Sequence, residues 1–202
     1  STTGSVTNGP LGTGTATVTS GAAIDLNGKT LANALSLSGD GISSGGALFN
    51  SAGTASTVSG AITLAADTTI DGGSGALTIS GTANGAFALT VNSTNANYTQ
   101  SGIVGGPTPL TGYIINTGTG LVAFDGAVTV DGAMLVSGSG GVTVNDAIDV
   151  SGNLTFNAVQ GGADIEITGS GSIAKSSGTG STLTLKTDNI KLQNGSSITS
   201  TN

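Results

Sequence analysis

The sequence predicts an all-β protein built as a solenoid of short stacked strands. A motif of two apolar residues flanking one polar residue recurs along almost the whole chain, and turns rich in Gly, Ser, Asn and Asp separate its copies. Alternation with a period of two places the apolar pair on one face, and each copy is long enough only for a brief strand. Such strands can bury their apolar faces only by stacking on one another, which is the basis of a solenoid.

The motif defines the predicted strands in order. Its copies are Ile62-Thr63-Leu64, Leu77-Thr78-Ile79, Leu89-Thr90-Val91, Val128-Thr129-Val130, Val142-Thr143-Val144, Ile148-Asp149-Val150, Leu154-Thr155-Phe156, Ile165-Glu166-Ile167, Leu183-Thr184-Leu185 and Ile190-Lys191-Leu192. Between residues 142 and 156, three copies follow one another with turns of about three residues, which change the direction of the chain without reversing it. We therefore expect a triangular coil with three short strands per turn of roughly 20 residues.

The same spacing bounds the size of the molecule. About ten turns, each rising about 4.8 Å, would give a rod roughly 50 Å long. We expect one solenoid domain over residues 1–202, and because the pattern runs to both ends without a capping helix, the chain looks like part of a larger repeat protein with open first and last turns.

Composition excludes several classes of protein. Only 7% of the residues are charged, the net charge is -7 and there is no cysteine, so disulfides are excluded and neither nucleic acid nor anionic lipid is an expected partner. No apolar stretch approaches the roughly 20 residues of a membrane span, and residues 1–27 do not resemble a signal peptide. The abundance of Gly, Ser, Thr and Asn would also suit a disordered linker, but linkers lack the regular apolar pairs of this chain.

The segment 92–113 interrupts the pattern and is the predicted loop insertion. It contains Pro107 and Pro109, which cannot donate to a strand ladder, and it carries both tyrosines, Tyr98 and Tyr113. Exposed loops that carry Tyr are frequent contact sites, so these four residues form the candidate partner-binding loop. In two alternatives, the tyrosines merely cover a turn of the solenoid, or the segment joins two repeat types.

The four phenylalanines suggest a further regularity. Phe49, Phe87, Phe124 and Phe156 recur at intervals close to two predicted turns. They would either stack in alternate turns or lie in the core independently.

Two stretches resemble a known family. Residues 18–31, VTSGAAIDLNGKTL, resemble the small-Gly-Ala-x-Leu-Asp-Leu-Asn-Gly signature of the strand repeat in autotransporter passengers, and residues 61–81 are similar to the next segment of that repeat. Residues 165–198 are more similar to filamentous-haemagglutinin-type exoproteins. The resemblance implies a right-handed parallel β-helix that is secreted across a Gram-negative envelope and displayed on the cell surface, typically within a large adhesin or biofilm protein. The chain has no Arg-Gly-Asp and no recognisable translocator barrel or secretion domain, so the receptor and the secretion route stay open.

Enzymatic activity is not expected. Pairs of acids such as Asp146 with Asp149, or Asp164 with Glu166, could flank a glycosidic bond, but the chain has no His, Cys or Arg and several of its acids precede Gly in turn-like pairs. We expect no cofactor beyond adventitious Ca²⁺ at an Asp turn, since no Gly-Gly-x-Gly-x-Asp repeat is present. The threonines at 13, 15, 17 and 19 would suit a water-ordering face, but that run is not repeated along the chain.

Two functional hypotheses follow. In the first, a stiff neutral rod carries a loop that binds a host cell, a neighbouring cell or a glycan. In the second, the chain is a structural subunit that assembles head to tail into an extracellular filament through open turns.

Overall fold

The computed structural model describes residues 11–138, 140–158, 162–176 and 181–200. The chain is a β-solenoid of about 8 turns with about 23 residues per turn. The strands of the first half are β1 (Ala16–Val18), β2 (Ile24–Asp25), β3 (Thr30–Leu31), β4 (Leu35–Gly39), β5 (Leu48–Phe49), β6 (Ser56–Val58), β7 (Ile62–Asp71), β8 (Leu77–Ile79), β9 (Ala83–Asn84), β10 (Ala88–Asn92) and β11 (Tyr98–Gln100). Those of the second half are β12 (Leu110–Gly118), β13 (Val122–Phe124), β14 (Val128–Gly138), β15 (Val142–Val144), β16 (Ala147–Val150), β17 (Leu154–Ala158), β18 (Asp164–Ile167), β19 (Ser172–Lys175), β20 (Leu183–Thr187), β21 (Asn189–Leu192) and β22 (Ser197–Ser200).

The strands form three faces around one core, and neighbouring strands within each face are parallel. Face 1 contains β1, β4, the first part of β7, β9, the first part of β14, β16, β19 and β22; face 2 contains β2, β5, the second part of β7, β10, β12, the second part of β14, β17 and β20. These two faces form one 14-stranded sheet, since the long strands turn the corner between them. Face 3 is an 8-stranded sheet of β3, β6, β8, β11, β13, β15, β18 and β21. The prediction of three strands per turn is confirmed.

The turns are longer and fewer than the sequence spacing suggested. Leu31 and Val58 are Cα partners in successive turns of face 3 and are 27 residues apart. This turn is long because a 3₁₀ turn, Ile42–Ser44, is inserted between β4 and β5. The next such pair, Val58 and Ile79, is 21 residues apart. Eight turns at about 4.8 Å each give a rod of about 38 Å, shorter than expected.

The core is a set of aliphatic columns that run along the axis. All ten copies of the sequence motif lie in strands. In the copies from 62 to 167 the outer residues of each copy are buried and the middle residue is at least partly exposed, as the period of two requires. This burial is the main source of stability, because a two- to five-residue strand has no stable conformation by itself.

The four phenylalanines do not stack in alternate turns, which is one of the two arrangements that their spacing allows. Phe124 and Phe156 stack with their ring centroids 6.2 Å apart and their planes 12° from parallel, but they come from face 3 and face 2 and meet across the core. Phe49 is half-buried, and 37% of Phe87 is exposed. The regular spacing of the four residues therefore does not place them in one stack.

The two ends of the described solenoid differ. At the first turn, Val18 and Leu31 are buried, and the Asn33 side-chain amide donates to the carbonyl oxygens of Gly12 and Gly14 at 3.1 Å each. Residues 12–14 therefore stack on Asn33 as the preceding level of the same corner, and the open first turn stays a prediction. At the last turn, Ile190 and Leu192 are 46% and 56% exposed, although they continue inward columns that are buried in the preceding turn.

Most of the predicted insertion belongs to the solenoid. Within the segment 92–113, Asn92 ends β10, residues 98–100 form β11 and Leu110 begins β12. Val104 forms parallel bridges to both Ala83 and Val128, so face 1 also continues through the segment. Residues 93–97, 101–103 and 105–109 lie outside the ladders, and both prolines fall in the last of these stretches.

The helical content offers no membrane span. In the part of the chain that the structure describes, no helix is long and apolar enough to cross a bilayer.

Candidate interaction surface

Tyr98 and Tyr113 are buried, which corrects their predicted exposure. Tyr98 is the first residue of β11 on face 3, Tyr113 lies within β12 on face 2, and neither side chain has exposed surface. The reason is register: Tyr98 and Gln100 are the Cα partners of Leu77 and Ile79, so both continue inward columns. The sequence carried this signal, since Tyr98-Thr99-Gln100 follows Leu77-Thr78-Ile79 by 21 residues with the same period of two.

The two tyrosines and Gln100 form a hydrogen-bonded group in the core, here called the tyrosine cluster. The Tyr98 hydroxyl donates to Gln100 Oε1 at 2.5 Å and lies 2.7 Å from the Tyr113 hydroxyl. Gln100 Nε2 donates to the carbonyl oxygen of Gly102 at 2.8 Å. Every polar side chain in the cluster has a partner, as burial requires.

The cluster has no access to solvent and cannot contact a partner. Burial raises the pKa of the Tyr98 hydroxyl well above its ordinary value, and the neighbouring Tyr113 raises it further. Burial also raises the pKa of the Tyr113 hydroxyl, which its hydrogen bond with Tyr98 lowers only in part. Both phenols therefore stay neutral, and their role is to hold adjacent turns in register.

The prolines lie on the corner loop, residues 105–109, between face 1 and face 2. Pro107 and Thr108 are exposed, and Pro109 is half-buried. Backbone hydrogen bonds anchor the loop at both ends: the Gly105 N–H donates to the Ala83 carbonyl at 2.8 Å, and the Gly85 N–H donates to the Thr108 carbonyl at 3.2 Å. Of the four predicted site residues, the structure therefore leaves the two prolines at the surface.

An exposed apolar patch lies beside the corner loop and was not predicted. It consists of Ile114 and Leu135, which are 38% and 37% exposed; Phe87, also 37% exposed, lies beside the loop at the level of Thr111. Ile114 and Leu135 are Cα partners in β12 and β14, and the Thr111 N–H, next to the loop, donates to the Phe87 carbonyl at 3.1 Å. Above and below the pair in the same outward column stand Thr90 and Thr155. Its sequence signal is a third apolar residue at the outward position, as in Tyr113-Ile114-Ile115 and Met134-Leu135-Val136.

Few charged residues lie near the patch: the exposed Asp67 carboxylate accepts from the Ala88 N–H, next to Phe87, at 2.8 Å, and Asp131 lies in β14 before Leu135. Residues 72–124 contain no Asp, Glu, Lys or Arg. The outward side of face 3 over these turns is neutral but polar, with Thr57, Thr78 and Thr99 in one column. Threonine is thus repeated from turn to turn on this face, and such β-branched pairs stabilise a sheet. The run of threonines at 13, 15, 17 and 19 did not indicate this column.

The candidate pair Asp164 with Glu166 makes structural contacts, whereas Asp149 of the other pair has its Oδ1 buried without a hydrogen-bond partner in the described part of the chain. Asp164 forms a salt bridge with Lys191 and accepts from the Asn189 amide, and these contacts, the Lys191 hydrogen bond first, lower its pKa. Glu166 Oε1 accepts from Gln193 Nε2 at 2.8 Å. Among the described residues there is no group of three or more His, Cys, Asp or Glu that could hold a metal ion.

Comparison with known proteins adds no relative. No family model, no curated protein and no solved structure matches this chain. The class that the structure defines is therefore the β-solenoid, a repeat protein of stacked parallel coils.

Proposed function

We propose that this chain is a segment of a secreted or surface-displayed bacterial adhesin. In this proposal the solenoid is a stiff neutral rod, and the apolar patch with the corner loop contacts a host cell, a neighbouring cell or a glycan. The resemblance to autotransporter passengers supports a location on the outer surface of a Gram-negative bacterium. The proposed activity is binding, without catalysis or a cofactor.

The observation that carries this proposal is the outward position of Ile114 and Leu135. Outward positions of a solenoid strand meet water, and the neighbouring turns fill them with Thr. Two adjacent turns instead place Ile114 and Leu135 there. Exposing these apolar side chains to water is unfavourable, and at outward positions they add nothing to the core. An apolar contact surface with few charged residues around it is suited to neutral partners.

Binding can be tested with a variant that imitates the neighbouring turns. Ile114→Thr with Leu135→Thr extends the Thr column through the patch and keeps the β propensity of both strands. We expect purified wild-type chain to bind cells or a neutral glycan on an array, and the double variant to lose at least about tenfold in affinity, which is about 1.4 kcal/mol.

The matched control is Leu121→Thr, which changes a residue that is equally exposed, at 37%, but is not in the patch. Equal binding by the wild-type chain, the control and the double variant would contradict this assignment of the site. Replacing residues 105–109 with a short Gly-Ser link tests the corner loop separately. Deleting the whole of 92–113 would be uninformative, because it removes β11 and the tyrosine cluster.

A second candidate function is head-to-tail assembly into a filament. It is favoured by the exposed Ile190 and Leu192, which extend core columns at the last described turn. Negative-stain electron microscopy over a concentration series is the test: filaments that lengthen with concentration support assembly, and isolated rods of about 38 Å at every concentration contradict it.

A further inference from the structure

Asn-Gly pairs occur at three turns within the described residues: Asn27-Gly28, Asn84-Gly85 and Asn194-Gly195. In such a pair the backbone nitrogen of Gly can attack the side-chain amide of Asn, because Gly has no side chain to hinder the approach. The rate in a folded protein depends on whether that nitrogen is free to turn toward the amide. A fourth pair, Asn8-Gly9, lies outside the described residues.

In two of the three pairs the Gly nitrogen is held. The Gly28 N–H donates to Asn50 Oδ1 at 2.8 Å, and this Asn50 side chain is itself buried. The Gly85 N–H donates to the Thr108 carbonyl at 3.2 Å, and the Asn84 side chain is half-buried. Each nitrogen must break a hydrogen bond before it can attack.

The third pair is free of such a contact. Asn194 is exposed, and within the described ranges no hydrogen bond of the Gly195 N–H is present. The turn is closed by other atoms: the Ser196 N–H and hydroxyl both donate to the Gln193 carbonyl, at 3.0 and 2.7 Å. Gly195 has φ +94°, which is typical of the third residue of a type II turn.

We propose that Asn194 is a site of spontaneous deamidation, with solvent water as the co-reactant. The Gly195 nitrogen loses its proton and forms a bond to Asn194 Cγ, while the bond from Cγ to Nδ2 breaks and ammonia leaves with that proton. The product is a five-membered succinimide. Water then adds to one of its two carbonyl carbons, and the ring opens to aspartate or to isoaspartate, with no oxidation or reduction.

The modification would alter the last described turn. Either product adds a carboxylate to the surface, and isoaspartate also lengthens the backbone by one methylene between β21 and β22. β22 pairs in register with β19: Ser197 is the partner of Ser172, and Ser200 is the partner of Lys175. A longer connection shifts that register, so the pairing of β22 should weaken.

The test is to age the intact chain in mildly alkaline buffer and to follow the three Asn-Gly pairs by peptide mass spectrometry. Replacement of an amide by a carboxylate is read as a mass increase in each peptide. We expect Asn194 to convert about tenfold faster than Asn27 and Asn84, the factor that a backbone hydrogen bond of ordinary strength imposes. In concentrated urea, all three should convert at similar rates.

Two comparisons make the test decisive. Asn194→Gln should not convert on the same timescale, because its longer side chain would have to form a six-membered ring, and it should keep the wild-type circular dichroism spectrum. Hydrogen exchange of β22 should quicken in the aged wild-type chain and not in this variant. Equal rates at the three sites in the folded chain, or a slower rate at Asn194, would overturn the proposal.

Discussion

Replacing Tyr98 with Phe removes one hydroxyl from the tyrosine cluster and leaves the ring in place. The lost hydroxyl makes the two shortest contacts of the cluster, at 2.5 Å to Gln100 Oε1 and 2.7 Å to the Tyr113 hydroxyl. Gln100 Oε1 would then keep only the Tyr113 hydroxyl, at 3.3 Å, which is beyond the usual range for hydroxyl donors. All three side chains have no exposed surface, so water cannot replace the lost partner.

The expected cost follows from these contacts. Each lost hydrogen bond lowers the free energy of unfolding by about 1 kcal/mol, so Tyr98→Phe should cost about 2 kcal/mol. For a chain of this length, that corresponds to a fall in Tm of about 4–8 °C. Urea unfolding followed by circular dichroism measures the free energy, and hydrogen exchange should show the loss concentrated in β10 to β13, because each turn of a solenoid contacts only its neighbours.

A variant series separates hydrogen bonding from packing. Tyr98→Phe with Tyr113→Phe leaves Gln100 Oε1 without a hydroxyl donor, whereas adding Gln100→Leu to this pair removes the unpaired oxygen. The triple variant should therefore be more stable than the double variant by about 1 kcal/mol. If Tyr98→Phe unfolds within about 0.5 kcal/mol of the wild-type chain, or if the triple variant is the least stable of the series, the cluster does not stabilise the fold as argued.

Three further predictions concern the fold. Burial raises the pKa of both clustered tyrosines above the ordinary value of about 10. Their contribution to stability is therefore complete below that pH and is lost as the pH rises above it. The urea midpoint of the wild-type chain should fall from about pH 10 upward, and that of Tyr98→Phe with Tyr113→Phe should fall less. Gly81→Ala should cost about 1–3 kcal/mol, since its Cβ would lie 2.0 Å from the Gly60 carbonyl oxygen in the turn before, whereas Gly53→Ala, with no atom closer than 3.6 Å, should be almost neutral in the same assay. Asn50→Ala should lower the unfolding free energy by about 1–3 kcal/mol, because it leaves the Gly28 N–H and the Thr54 carbonyl without their partner; equal stability of Asn50→Ala and the exposed-site control Thr63→Ala would count against this reasoning.

Much of the fold was predictable because the core is periodic. Leu77-Thr78-Ile79 and its equivalents specify a strand and its buried face at once, since a shift of one residue would expose every apolar side chain. Turn length was harder to predict. The excursion at Ile42–Ser44 adds residues without changing the pattern on either side, so the spacing in one clear region underestimated the average turn.

The candidate surface was only partly predictable. The prolines at 107 and 109 correctly marked a break in the ladders, because proline cannot donate to them. The tyrosines beside them were assigned to the same loop because Tyr is common at contact sites, but their period-two position placed them in the core. Ile114 and Leu135 lie in different turns, and their proximity to each other depends on which turns are adjacent.

Periodicity in the sequence is enough to establish a solenoid of short strands, because alternating apolar pairs between turn residues can be buried in no other simple way. The neutral surface follows from composition. The residues that share a column are known only from the folded chain, since residues more than twenty positions apart become neighbours through coil register. That register turns Tyr98 and Tyr113 from a predicted contact loop into a buried hydrogen-bonded pair, and brings Ile114 and Leu135 together at the surface.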